Sequence, residues 1–362
     1  MTNRRELGQR LMSLDVFRGF TVAAMIVVNT PATEEYVFAP LRHAAWNGFT
    51  PTDAVFPFFI FVMGISLTLS YGKLKARGAD TRRILWKTTK RAVLIFLIGI
   101  LLGLFPQFEF SEIRIPGVLQ RIAVVFFFCA LLFWYTHWRQ QAIIAGLLLV
   151  LYWLMMVCVP VPGLGVGVLE PGNNLAAWLD RLVIPGTMWQ GTWDPEGILS
   201  TIPAIASGIS GMLVGHLLAH TELTPERKVI WMFLGGFVSF LVGSAWGWGF
   251  PINKNLWTSS YVLYTSGLAA MVFASLFFII EIRGKQNWAK SGVVFGSNAL
   301  TAYIIGGILP SLLYAVNDWY VDAVVNVSGY PEWPSLIWAI GICLICYGLV
   351  YLLYRKKIFI KI

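Results

Sequence analysis

His43 lies in the stretch Leu41-Arg42-His43-Ala44-Ala45-Trp46-Asn47-Gly48-Phe49-Thr50-Pro51-Thr52-Asp53, directly ahead of a long apolar run. Imidazole is the side chain that takes up and returns a proton near physiological pH, so this is where general-base chemistry is expected. A base needs a partner that fixes its tautomer, and Asp53 is close enough in sequence to be that partner. Asn47 and Arg42 add polar groups, and Trp46 can shield the site from water. Each residue also has a structural reading. A lone histidine more often serves packing than catalysis. Thr50-Pro51-Thr52-Asp53 reads as a capping box with Pro51 at the first helical position. The two roles of Asp53 are compatible.

Other polar residues sit in or beside apolar runs. Asp15 and Arg18 are three apart and share a helical face, as an ion pair or as part of an internal path. Asn29 lies near the far end of the same run, within reach of the His43 segment. Arg114-Ile115-Pro116-Gly117-Val118-Leu119-Gln120-Arg121 opens another run. Arg114 and Arg121 share a face if the helix begins early enough, and Arg121 enters the membrane by about one and a half turns. A cation there needs a protein carboxylate or a ligand phosphate. Trp193-Asp194-Pro195-Glu196-Gly197 reads as a helix start capped by Asp194. Asn253-Lys254-Asn255-Leu256-Trp257 forms a short loop. His137, His216 and His220 suit helix C-termini. Cys129, Cys158, Cys343 and Cys346 fall in apolar runs and read as small core residues, with no metal site expected. No Walker loop, HExxH, GxSxG or dinucleotide fingerprint occurs, so the local chemistry points to acid–base or acyl-transfer work.

The elements that position these residues follow from composition. Of 362 residues, 57% are hydrophobic and 12% charged, about half the charged share of a soluble domain. Runs long enough to cross hydrocarbon as helices occur at about ten places, near 14–31, 54–72, 92–106, 117–136, 142–159, 198–219, 229–249, 258–281, 292–315 and 335–354. The net charge of +9 is not a nucleic-acid signature. With Met1 inside, 21 of the 27 Lys and Arg fall in inner segments, which predicts both termini in the cytoplasm. The first run carries Asp15 and Arg18, so no cleavable signal peptide is expected. The loop Lys73–Arg91 holds eight cations and reads as lipid-facing or as a landing site for an anionic cosubstrate. The loops 32–53, 160–197 and 249–257 fall on the outer side. These features predict an all-α integral membrane bundle, a single polytopic domain over residues 1–362.

Several stretches together resemble the heparan-alpha-glucosaminide N-acetyltransferase family, in the same order. They are Ser13 to Gly19, His43 to Gly48 with Asp53 to Pro57, Arg114 to Arg121, Trp193 to Gly197 and Asn253 to Trp257. The resemblance implies transfer of acetyl from cytosolic acetyl-CoA to an amino sugar across the membrane, without a metal. It matches His43 to the active-site histidine, Asn29 to an asparagine near the acetyl group and Asp53 to a nearby carboxylate. Arg18, Arg114, Arg121, Asn253, Lys254 and Trp257 are the expected donor or acceptor contacts. The chain departs from the lysosomal enzyme in lacking a long luminal N-terminal region, so a bacterial inner-membrane member is expected, with a homodimer as the assembly to test. The competing readings are a permease for small sugars or peptidoglycan fragments, and an O-acetyltransferase acting on a cell-envelope polymer.

Overall fold

The computed structural model describes residues 11–360. The cations Arg4, Arg5, Arg10 and Lys361, used in the charge argument, lie outside the described residues. Within them the chain is all-helical: the helices are α1 (Met12–Asn29), α2 (Val55–Ala76), α3 (Thr81–Leu104), α4 (Val118–Tyr135), α5 (Trp138–Cys158), α6 (Leu175–Val183), α7 (Ile198–Ala219), α8 (Pro225–Trp246), α9 (Ser259–Phe277), α10 (Lys290–Ser297), α11 (Ala299–Leu312), α12 (Tyr314–Tyr320) and α13 (Glu332–Arg355). Among the described residues, α1, α2, α4, α5, α7, α8, α9 and α13 are each long and apolar enough to cross a membrane, and α10 with α11 forms a ninth candidate bent by 75°. The bend falls at Asn298, whose amide binds the Ile358 carbonyl and the Ile360 N–H and so ties the break to the C-terminal segment. The remaining expected crossing, 92–106, is the apolar second half of α3, whose first turns carry Arg82, Arg83, Lys87, Lys90 and Arg91.

Helix α7 is the centre, packed on α2, α4, α5 and α9. Lipid tails are as apolar as leucine, so helices in a bilayer associate through close packing rather than through hydrophobicity. The α2–α7 contact shows this. A Cβ on Gly211 would fall 2.0 Å from the Phe61 carbonyl oxygen, and one on Gly64 2.1 Å from that of Gly208. Only glycine lets these backbones meet. Ile60, Ile65, Ile209 and Met212 fill the space around the contact and are fully buried. Helices α5 and α8 lie at the periphery and expose Ile143, Leu147, Leu151, Leu154, Trp231, Leu234, Val238 and Leu241, a surface suited to hydrocarbon.

At one end of the bundle the loops after α1, α5 and α8 interlock. The Trp46 indole donates to the Leu169 carbonyl at 2.9 Å, and the Gly48 N–H to the Ile252 carbonyl at 2.8 Å. Gly48 holds φ +117°, a conformation that glycine adopts without the clash a Cβ would bring. This interlocked end carries His43.

Candidate active site

The His43–Asp53 pair forms locally. Pro51–Ala54 makes one 3-10 turn ahead of α2, and Asp53 turns back over its own N-terminus. One carboxylate oxygen, Oδ2, accepts from the Thr50 N–H at 3.0 Å and the Ala44 N–H at 3.1 Å. The other, Oδ1, lies 2.7 Å from His43 Nδ1. A carboxylate that gathers backbone donors is ionised, so Nδ1 carries the hydrogen and donates it. The lone pair is then on Nε2. The Asp53 side chain is 1% exposed and the imidazole 44%: the carboxylate is buried and the ring is open to solvent. From α9, the Tyr261 hydroxyl donates to the Asp53 carbonyl at 2.6 Å, fixing this turn to the bundle. Asp53 thus caps its own turn and contacts the imidazole at the same time.

The loop between α8 and α9 closes over this pair. Asn253 Nδ2 donates to Asn47 Oδ1 at 3.0 Å, and Asn253 Oδ1 accepts from the Leu256 N–H at 2.8 Å. Lys254 Nζ lies 3.2 Å from Nδ1 and 3.1 Å from Nε2 of His43. The family resemblance grouped Lys254 with donor and acceptor contacts, and the fold places it against the His43 ring. Burial draws the Lys254 ammonium below the usual lysine range, against the opposing pull of the Glu196 and Asp53 charges. Trp257 is fully buried and donates from its indole to Ser207 Oγ on α7 at 3.1 Å. Tyr261 and Ser207 carried no distinguishing signal in sequence, since both sit within ordinary apolar helices.

Arg114 and Arg121 diverge. Helix α4 begins at Val118, so Arg114 precedes it and does not share its face. Arg114 instead forms a forked pair with Asp194, Nε to Oδ2 at 2.6 Å and Nη2 to Oδ1 at 2.7 Å, and also reaches Glu196 at 2.6 Å. Its guanidinium lies 5.0 Å from the Trp189 ring centre. Burial alone would lower the Arg114 proton affinity, but the bonds to Asp194 and the charge of Glu196 raise it overall. Burial likewise opposes ionisation of Asp194, and the Arg114 bonds overcome it, holding the carboxyl below its usual range. Arg121, 2% exposed, binds the Ser200 hydroxyl and the Gly197 carbonyl and lies against the Trp257 ring at 4.9 Å. Asp180 on α6 accepts the Ile198 N–H at 2.9 Å, capping α7 from another element, and burial pushes its carboxyl up to about 6.

Arg18 sits elsewhere, at the contact of α1 with α2 and α10. It pairs with Asp15 at 3.5 Å and reaches the Gly296 carbonyl at 3.2 Å and Ser66 Oγ at 2.5 Å. Asn29 is the last residue of α1 and is exposed. No hydrogen bond among the described residues joins it to His43. Among the described residues no group of three or more His, Cys, Asp or Glu is placed to hold a metal.

A buried carboxylate thus orients an exposed imidazole, the arrangement that a general base requires, and comparison with known proteins gives it a setting. The family model described as heparan-alpha-glucosaminide N-acetyltransferase, catalytic, matches residues 10–242. The chain belongs to this family. Two curated relatives extend the match beyond that segment, both named heparan-alpha-glucosaminide N-acetyltransferase. The human protein is 31% identical across 98% of this chain and 60% of its own length. The mouse protein is 29% identical across 99% of this chain and 61% of its own length. The chain therefore spans about three-fifths of the relatives it matches. The matched segment contains the His43–Asp53 pair and the Arg114–Asp194–Glu196 network, while the Lys254 loop lies in the part covered by the two relatives.

Proposed function

We propose that this protein is a transmembrane acetyltransferase that moves an acetyl group from acetyl-CoA to the amine of a glucosamine-type sugar at the outer face, in a bacterial inner membrane. The observation that carries the reading is the His43–Asp53 pair, with Nδ1 committed to the buried carboxylate and the imidazole exposed, in a chain of this family.

In the reaction the acceptor nitrogen attacks the thioester carbonyl carbon and a C–N bond forms. His43 Nε2 takes the proton that the nitrogen sheds. Collapse of the tetrahedral centre breaks the C–S bond, and the thiolate recovers the proton from the imidazolium. Direct transfer asks of His43 what its geometry offers, an oriented base. Asn29 is the proposed donor to the oxygen that becomes negative. The CoA nucleotide needs cations on the inner side, and Arg18 with the Lys73–Arg91 segment supplies them in this reading. Arg114 and Arg121 hold the helix and loop ends around the pair together, and Asn253 and Trp257 brace the α8–α9 loop against it.

The test is transfer of labelled acetyl from acetyl-CoA to glucosamine by the reconstituted protein, beside His43→Ala. Label on the sugar with wild type, and a loss of about 10²- to 10⁴-fold in the variant with donor binding retained, is the expected result. Acetyl-CoA binding without transfer to any amine, but with transfer to sugar hydroxyls, would replace the acceptor class. Unimpaired turnover in His43→Ala would overturn the site.

A further inference from the structure

Lys254 has a geometry that a substrate contact does not need. Its Nζ is 3.1 Å from one nitrogen of the His43 ring and 3.2 Å from the other. A group equidistant from both nitrogens of a five-membered ring cannot lie in the ring plane, because the carbon between them already fills that place. The ammonium therefore sits over the ring face. Both in-plane directions stay free of it: Nδ1 points to Asp53, and Nε2 points away from that carboxylate.

The loop is built to hold the cation there. Asn253, fully buried, is bonded to Asn47, Leu256 and Thr258. On the other side, the Trp257 N–H donates to the Lys254 carbonyl at 3.0 Å. Trp257 holds φ +52°, a left-handed conformation that is costly for a side chain of its kind. Its buried indole bond to Ser207 keeps it in place. Backbone strain held by surrounding structure is a recognised mark of a functional position.

We propose, resting on the acetyltransferase reading, that Lys254 is a positioning residue for the base: its charge over the imidazole face disfavours the imidazolium. The protonated ring then returns its proton to the leaving thiolate more readily. The groups that act on the ring are named by the packing. Asp53 reaches it from the start of α2, and Lys254 from the α8–α9 loop. Glu196, ahead of α7, and Arg121 on α4 act through their charges on Lys254. Arg42 is turned away, bonded to the Val37 and Glu35 carbonyls.

The experiment compares wild type, Lys254→Met and Lys254→Arg in the full-length reconstituted protein. One readout is kcat/KM for acetyl transfer as a function of pH. The other is the rate at which diethyl pyrocarbonate modifies His43, followed by peptide mass, because the reagent attacks only unprotonated imidazole. Removing the cation should move the acid limb of both profiles upward by about one pH unit. At a pH below the limb that is a loss of about tenfold, recovered at high pH. Lys254→Arg keeps the charge and should keep the limb. A loss in Lys254→Met that is the same at every pH, with an unmoved modification profile, overturns the proposal in favour of a structural lysine. Modification needs no acetyl transfer, so a shifted modification limb in a protein that fails to acetylate sugars would sustain the Lys254 role and defeat the acetyltransferase reading. Lys254→Gln replaces the methionine variant if that one does not fold.

Discussion

Asp53→Asn separates the two jobs that Asp53 performs. Oδ2 accepts the Thr50 and Ala44 N–H groups, whereas Oδ1 alone faces His43 Nδ1 at 2.7 Å. In the variant, the amide oxygen takes over the backbone bonds and the amide nitrogen falls opposite Nδ1. Two donors then meet, and the imidazole relieves the conflict by moving its hydrogen to Nε2, the nitrogen that must accept a proton. Cap strength is about equal for Asp and Asn, and the open imidazole screens what is lost at the pair, so thermal stability should change by about 1 kcal/mol or less. Catalysis should fall far more. The wrong tautomer costs about 10⁴-fold where a histidine base is oriented in this way, or about 5 kcal/mol of barrier at roughly 1.4 per factor of ten. The assay is single-turnover acetyl transfer beside a thermal unfolding curve. Combination with His43→Ala should add little, because the two residues act as one unit. Near-wild-type turnover in a folded Asp53→Asn protein would refute the tautomer argument. A joint loss of stability and turnover would reduce Asp53 to its capping role.

Other outcomes follow from the same geometry. Asp194→Ala leaves the Arg114 guanidinium without its forked partner and frees the Trp189 and Glu196 N–H groups. Breaking such a buried pair costs about 3–5 kcal/mol, to be read as lost thermal stability and folded yield, and normal yield with lost transfer would move the network into the chemistry. The doubly apolar Arg114→Met/Asp194→Leu protein should be more stable than Asp194→Ala, measured by the same unfolding curve. Asp180 binds its proton more tightly in the folded protein, about 6 against 3.8. Its stabilising contribution is therefore present below about pH 4 and is lost as pH rises through about 6. Asp180→Asn keeps an acceptor for the Ile198 N–H and should stabilise the protein at pH 7 by up to about 3 kcal/mol, with no gain at pH 4. Equal unfolding temperatures at both pH values would refute this.

Sequence alone determined the elements that chemistry over short distances dictates. The thickness of hydrocarbon sets the length of an apolar run, so among the described residues nine of the ten expected crossings fall on helices long and apolar enough to span, counting the bent α10–α11 as one, and the tenth falls on the cation-led α3, which is not. His43 and Asp53 are ten residues apart and joined by one turn, which is why the pair was legible beside its capping alternative. Tertiary structure decided what is joined across the chain. Lys254 meets His43 across 211 positions, and Arg114 meets Asp194 across 80. Nothing in the local pattern says which carboxylate will satisfy which cation, and so the shared face expected for Arg114 and Arg121 dissolved once α4 began at Val118. Hydropathy reports whether a helix can face lipid. Which helices touch is set by small-residue contacts such as Gly64 and Gly211 between α2 and α7, because in a bilayer packing, not apolarity, holds helices together.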